Sequence, residues 1–482
     1  MAELRVNPNN GTKASPDVLL SGILQQMYYF PWNDAQYSSQ FHCQLTSYYG
    51  DQSYNFGAAK FYYAAIRNID QMVKEARRTG GKTMQPYYAL SYFLRAFFYI
   101  QMTGQVGDIP MKEAMKAEDG IFEPPYNTQK DIYLQCLQWL DMANDSLTEI
   151  NNQPLFLVKG DVFFNGNLVK WQKLVNAFRL RVLISLSEKT DDPDMQVKAR
   201  FKEIFEHPEQ YPVITDNDDN MQITYTGDNT ASYNPGYSET PEAAARKLPL
   251  ARVFVSLLTG LKDPRLFIMG LPAPIAANSG DPDYALKFTS YRGASTGSLM
   301  SVLNDSLVDG YFSIPNYQYW FMSKKGVPTI QLGAAEVNFT IAEAINRGWV
   351  GSGNVALAAQ YYESGIKEAL RFFGIRADSI ADYLAQPTVI YKGNNAAGLK
   401  QILEQKYLSF FQNSGWEAFY NQRRTGIPAF DIGPSNKNGG KIPRRWYYPQ
   451  SEYLNNFTHL KAALLRQYQG ADNLNSNMWL LQ

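Results

Sequence analysis

Gly415-Trp416-Glu417-Ala418-Phe419-Tyr420, followed closely by Arg423-Arg424-Thr425-Gly426-Ile427-Pro428, is the segment around which the chain is organised. A Gly/Asn-rich gap from Gly433 to Gly440 separates it from Ile442-Pro443-Arg444-Arg445-Trp446-Tyr447-Tyr448-Pro449. Guanidinium planes stack on aromatic faces and make forked hydrogen bonds to carboxylates and carbonyls. Two Arg-Arg pairs set among aromatics and prolines therefore read as a clamp from Gln405 to Glu452 that ties other elements together. One long amphipathic helix is not the pattern here. A ligand site built from the same residues is the alternative.

Outward from this clamp the chain reads as helices. Gly398 to Phe411 is one. Gly333 to Arg347 and Asn354 to Phe373 form a pair joined by Gly348 to Gly353. Gly351-x-Gly353-x-x-Ala356 superficially matches a dinucleotide fingerprint, but that fingerprint needs a preceding strand. A helix precedes it, so these glycines turn one helix into the next. Glu336 and Glu343 on one helix would lie about 10 Å apart along its axis. That exceeds the separation of a retaining glycosidase and is marginal for an inverting one, so they read as structural carboxylates paired with arginine.

In the amino-terminal part, Ser15-Pro16-Asp17 starts a helix, with Ser15 as N-cap and Pro16 at the first helical position. Pro31 ends it near Phe30. Ala35 to Asn55 reads as a polar, aromatic loop. A helix from Gly57 to Arg78 carries an apolar stripe from Tyr62 through Ile66, Ile69 and Met72 to Ala76. Gly80-Gly81 turns it into a partner running from Gln85 to Met102 and stopping at Gly104. Thr128 caps a helix reaching Ile150. Another spans Asn167 to Glu188, with Arg179 and Arg181 expected at its edges.

From Asp191 to Ile330 proline, glycine and asparagine recur, and Ala243 to Leu261 is the main helical stripe. The expected fold is mainly α: tetratricopeptide-like helical hairpins with an irregular loop-rich part, although no strict repeat of about 34 residues is present. Residues 1–190 and 333–482 would be the helical scaffold and 191–332 the loop-rich part of a single domain, 1–482. Long loops on a rigid frame tend to carry function.

Composition narrows the function. Of 482 residues, 45 are basic and 45 acidic, which argues against a nucleic-acid partner. No apolar run approaches the roughly 20 residues of a membrane span. Cys43 and Cys136 are too few for a disulfide framework or a zinc site, and both a pair of buried thiols and one bridge stay open. His42, His207 and His459 are too scattered for a histidine metal centre. The chain holds 33 Tyr, 27 Phe and 8 Trp. Tyr and Trp, with flat faces and polar edges, suit sugar rings and protein interfaces alike. The amino terminus shows no charged-then-apolar leader, which fits a cytoplasmic protein or a chain that begins after a removed leader.

Two further motifs read as decoys. Gly293-Ala294-Ser295-Thr296-Gly297, with His459 downstream, fits the serine-hydrolase elbow, yet the alternating strands and helices of that fold are missing. Asp216-Asn217-Asp218-Asp219-Asn220 resembles the start of a calcium loop but lacks its glycine at position six and glutamate at position twelve. It reads as an acidic surface turn.

Several short pieces, weak alone, share one order and spacing. They are Asn7-Pro8-Asn9-Asn10 with Ala14-Ser15-Pro16-Asp17, Gly107-Asp108-Ile109-Pro110, Trp171 through Arg181, Asp263-Pro264-Arg265-Leu266, Ala335-Glu336 with Ala342-Glu343-Ala344, and the clamp motifs ending in Tyr448-Pro449-x-x-Glu452. On these the chain resembles the SusD/RagB-like nutrient-binding outer-membrane lipoproteins of Gram-negative bacteria, closest to the SusD-like, starch-binding-associated branch. The resemblance implies tetratricopeptide-like hairpins, a lipid anchor on the extracellular face of the outer membrane, and a SusC-like TonB-dependent transporter as partner. It implies delivery of oligosaccharide or peptide to that transporter without enzymatic activity. No cofactor and no metal are expected. The anchor cysteine and leader are absent from this sequence, and Gly11 stands where the family often has proline.

The family's pocket varies too much to carry over, so the site expectation rests on loop aromatics: Tyr48, Tyr49 and Tyr54 from the first long loop, and Tyr317, Tyr319 and Trp320 from the second. They would stack on sugar faces while nearby Asn and Gln amides read hydroxyls. The alternatives are a helical glycan-degrading enzyme, which needs two carboxylates in one cleft, and a helical-repeat protein-interaction scaffold.

Overall fold

Side-chain caps set the helix starts at Thr128, Asn167 and Asn354, where the sequence expects helices to begin. In the computed structural model, which describes residues 14–45, 53–153 and 156–482, Pro16 opens helix α1 (Pro16–Gln25). This helix ends before the expected Phe30. Asn33 then accepts a hydrogen bond from the Ala35 N–H and caps a short α2 (Asp34–Ser38) inside the stretch read as loop. Helix α3 (Tyr63–Thr79) begins later than Gly57. The reason is long-range: residues 57–59 are held extended against Tyr447, with Ala59 N to Tyr447 O at 2.8 Å and Tyr447 N to Gly57 O at 3.2 Å.

Helix α4 (Gln85–Val106) runs through Gly104 instead of stopping there. Strand β1 (Ile109–Pro110) pairs antiparallel with β2 (Tyr126–Asn127). Thr128 caps α5 (Gln129–Asn151) through the Asp131 N–H at 3.1 Å. Asn167 caps α6 (Leu168–Ser185) through two backbone N–H groups. Helix α7 (Val197–Glu206) and strand β3 (Met221–Ile223) follow.

The helix expected from Ala243 to Leu261 is two, α8 (Pro241–Arg246) and α9 (Arg252–Gly260). Pro249 lies between them, and the backbone on its far side is used elsewhere: Leu250 N bonds Ser313 O and Ala251 N bonds Phe41 O. Then come α10 (Leu266–Met269), α11 (Met300–Val308), α12 (Tyr317–Trp320) and β4 (Thr329–Leu332), which pairs antiparallel with β3. The carboxy-terminal part holds α13 (Ala334–Asn346), α14 (Val355–Phe372), α15 (Ala377–Leu384), α16 (Ala396–Ser409), α17 (Glu417–Thr425), α18 (Gln450–Asn455) and α19 (Phe457–Tyr468).

The architecture is mainly α. Helices α3, α4, α5 and α6 pack each against the next, as tetratricopeptide-like hairpins do, and α13 packs against both α14 and α16. Among the described residues no helix is long and apolar enough to cross a membrane. Helix α6 meets α13 where Arg181 forks onto Glu336, both bonds 2.6 Å. Arg179 is also buried, bonded to Asp141 and Asn176. Neither arginine lies at a helix edge as expected. Each is drawn inward by a buried or half-buried carboxylate, because a desolvated guanidinium is tolerable only when paired.

The clamp reading holds for the carboxy-terminal segment. Arg424 forks onto Glu343 at 2.6 and 3.0 Å, and Arg347 reaches the same carboxylate at 2.9 Å. Arg444 donates to Arg423 O at 2.6 Å. Arg445 binds Asp472 at 2.5 Å with its guanidinium near the Tyr448 and Tyr468 rings. Glu336 and Glu343 are thus structural partners of arginine. Burial alone would raise the Glu343 carboxyl, but the arginines more than offset it and hold it at about 2.

The decoy motifs also resolve into packing. A Cβ on Gly293 would sit 2.4 Å from Arg252 Cα, and one on Gly297 would sit 2.8 Å from Gly433 N, so these glycines permit backbone crossings. Residues 351–353 make the turn between α13 and α14. The 216–220 segment is a short 3-10 turn whose Asp219 is buried against Lys173, which corrects the reading of a purely surface feature. Cys43 and Cys136 are both free and buried.

Candidate functional site

Past the end of α1, the sequence Tyr28-Tyr29-Phe30-Pro31 places three aromatic rings on a non-helical segment. They line an open cleft of about 550 Å³. The clamp supplies another part of the lining with Trp416 and Trp446, and the extended 57–62 segment supplies Lys60 and Tyr62. This cleft therefore exists because the carboxy-terminal clamp pins residues 57–59 beside the end of α1.

Its aromatic wall is preorganised. Trp446 stacks on Phe56 with ring centroids 4.6 Å apart and planes at 24°. Tyr28 meets Phe30 edge-on at 4.3 Å. Tyr29 is locked by three hydrogen bonds: its N–H to Gln331 Oε1 at 2.8 Å, its carbonyl from Gln331 Nε2 at 3.1 Å, and its hydroxyl to Gln101 Oε1 at 2.7 Å. Phe30 is 56% exposed, a large apolar face left to solvent.

The polar lining is mostly neutral. Gln25, Gln26, Asn33 and Gln105 contribute amides, and Asp34 and Lys60 one charge of each sign. Gln105 Oε1 accepts from the Lys60 N–H at 3.0 Å, and the Lys60 ammonium lies 4.9 Å from the Tyr62 ring centroid. Burial pushes the Tyr28, Tyr29 and Tyr62 hydroxyls above the ordinary tyrosine value, so all three stay protonated. Flat apolar faces flanked by amides match a sugar, which offers C–H faces and a hydroxyl rim.

The sequence-expected aromatics lie elsewhere. Tyr48 and Tyr49 fall outside the described residues. Tyr54 is 2% exposed; its hydroxyl donates to Ser38 O at 3.1 Å and accepts from Gln40 Nε2 at 2.9 Å. Trp320 is 4% exposed and donates from Nε1 to Met269 O at 3.0 Å, packed against Trp32 and Phe411. Tyr317 and Tyr319 share α12 with it and are half-buried. Of the described members of that set, none lines the cleft. The cleft aromatics were readable only as a cluster, Tyr28-Tyr29-Phe30 before Pro31, and as Trp416 and Trp446 within the clamp's ligand-site alternative. Among the described residues no group of three or more His, Cys, Asp or Glu side chains is arranged to hold a metal.

Comparison with known proteins agrees with this architecture. A family model described as SusD-like, starch-binding and associating with the outer membrane matches residues 8–449. A SusD homologue from Bacteroides fragilis is 28% identical, covering 97% of this chain and 100% of its own, with a TM-score of 0.88. A second from the same species is 31% identical, covering 98% and 100%, with a TM-score of 0.84. A chitin-binding SusD homologue from Flavobacterium johnsoniae is 19% identical over 97% of this chain and 98% of its own, with a TM-score of 0.74, and shares the fold. Among curated protein sequences none matches. With a family model spanning nearly the whole chain and helical relatives superposing over their full length, the chain belongs to the SusD-like family of starch-binding, outer-membrane-associating proteins.

Proposed function

We propose that this protein captures an oligosaccharide without altering it, in the cleft between the end of α1 and the clamp tryptophans. The observation that carries the reading is the pairing of an exposed aromatic face, Phe30, with fixed rings and neutral amides in one cleft. The family supports a glycan ligand at the outer membrane, and the chitin-binding relative shows that this fold can serve a glycan binder. An acid/base hydrolysis would need two carboxylates across the scissile bond. Among the described residues Asp34 alone lines this cleft as a carboxylate.

The captured glycan passes to a SusC-like TonB-dependent transporter, with the protein held at the cell surface by a lipid anchor. Tyr317 and Tyr319 keep a secondary role as partly exposed aromatics at which a longer chain could rest. A glycan array probed with the wild-type protein and with Phe30→Ala carrying Gln26→Ala tests the reading. Binding to a defined glycan class, lost in the double variant, is expected. Undiminished binding by that variant places the site elsewhere, and release of reducing ends from the bound glycan makes the protein an enzyme.

A further inference from the structure

Gln105 fixes one wall of the aromatic cleft from within the fold. It is 7% exposed, yet it lines the cleft. Its Oε1 accepts from the Lys60 N–H at 3.0 Å, and its backbone carbonyl accepts from the Trp446 N–H at 2.9 Å. One residue therefore sets both the lysine and the tryptophan of that wall. A turned-over amide would put its NH2 against the Lys60 N–H, so the NH2 is the group left to offer. That Nε2 has no acceptor among the described residues and is not sealed from solvent. Asn33 repeats the pattern: its Oδ1 accepts from the Ala35 N–H at 3.0 Å and its NH2 stays open.

Lys60 adds a positive charge to the same wall. It is exposed and has no carboxylate partner among the described residues. Its ammonium rests over the Tyr62 ring, 4.9 Å from the centroid, and Tyr62 is itself 7% exposed and held in the fold. Asp34, the carboxylate of the lining, opens α2 and does not pair with Lys60. Burial and then the Asp34 charge push the Tyr37 hydroxyl up, so this carboxylate belongs to the α2 side of the cleft. The Gln105 wall thus presents an ammonium and a fixed NH2, with the amide oxygen already taken. Such a pair of donors is matched by an ionised acceptor with two oxygens.

We propose that the cleft selects acidic oligosaccharides, with a uronic acid carboxylate taken by the Lys60 ammonium and the Gln105 NH2 while the sugar ring lies on the aromatic wall. A carboxylate serves both donors at once, whereas a neutral hydroxyl offers one oxygen and no charge. This selection rests on the cleft being a glycan site and narrows the class of glycan it takes.

Oligosaccharides of glucuronic, galacturonic and mannuronic acid are the probes, each beside its carboxyl-reduced counterpart, in which every carboxylate becomes a CH2OH group. Neutral malto-oligosaccharides complete the set, and binding to the full chain is measured by titration calorimetry at low salt. At least one acidic chain should bind about tenfold more tightly than its reduced form. That ratio should shrink toward one at about 0.5 M sodium chloride. The protein has 45 basic and 45 acidic residues, so such salt sensitivity reports the local wall and not the net charge. Lys60→Gln keeps the backbone N–H that Gln105 accepts and should bring the ratio to about one. Gln105→Glu keeps that acceptor, replaces the NH2 with an anion, and should invert the preference. Equal binding of acidic and reduced chains, binding confined to neutral ones, or a ratio that survives in Lys60→Gln overturns the acid preference and leaves the glycan site standing. Binding of no chain in either form counts against the glycan site itself, and this selection falls with it.

Discussion

The Trp416 indole meets the Trp446 indole edge-on, with centroids 4.9 Å apart and planes at 89°. Both rings face the cleft, but Trp446 is also buried against Phe56, Phe419 and Tyr420. The two kinds of cleft aromatic should therefore separate on substitution. Trp446→Ala should cost about 3–5 kcal/mol in denaturant melts, the range for emptying a buried aromatic site. Phe30→Ala should change stability by less than about 0.5 kcal/mol, yet weaken glycan affinity about tenfold by titration calorimetry. Equal affinity in Phe30→Ala and wild type would show that the exposed ring is not a contact.

Removing one member of the Glu343–Arg424 pair strands the other inside the protein. Glu343→Gln should destabilise by about 3–5 kcal/mol. Because the Glu343 carboxyl is held at about 2 in the fold against an ordinary 4.5, its contribution is present above about pH 4.5 and lost as the pH falls toward 2. The lost amount is roughly 3 kcal/mol. Urea melts across that range should show a shallower acid slope in Glu343→Gln than in wild type.

His42 gives a second acid dependence in a different window. Its ring is buried against Trp32 and Tyr37, neither nitrogen has a partner among the described residues, and burial lowers it to about 3 from 6.5. The unfolded chain therefore binds a proton that the folded chain refuses between those values, so stability falls as the pH drops through 6.5 toward 3. Between pH 7 and pH 5 this amounts to roughly 2 kcal/mol. His42→Phe, which preserves the ring contacts, should remove that part of the pH dependence. Parallel slopes in the two proteins would refute the assignment.

Both thiols should be silent in the native protein. Burial raises Cys43 and Cys136 above the ordinary thiol value, and neither is bridged. A thiolate is the reactive form, so a colorimetric thiol reagent should find no reactive thiol under native conditions and two after denaturation. Rapid native labelling of either would mean that its surroundings open readily.

Local chemistry was enough to determine much of this chain. Helices α5 and α6 begin where Thr128 and Asn167 can cap them, the 351–353 glycines turn one helix into another, and paired arginines beside aromatics act as a clamp. Each depends on residues a few positions apart. Tertiary structure alone decided the rest. Helix α3 starts late because Tyr447 holds residues 57–59, and Arg181 turns inward because Glu336 waits 155 positions away. The aromatic cleft was the least legible feature. An aromatic in a polar loop has no periodicity to say which way it points, so Tyr54 and Trp320 could be buried while Phe30 stayed open. That choice is made by which backbone carbonyls and rings the folded chain brings alongside, and those partners come from distant parts of the sequence.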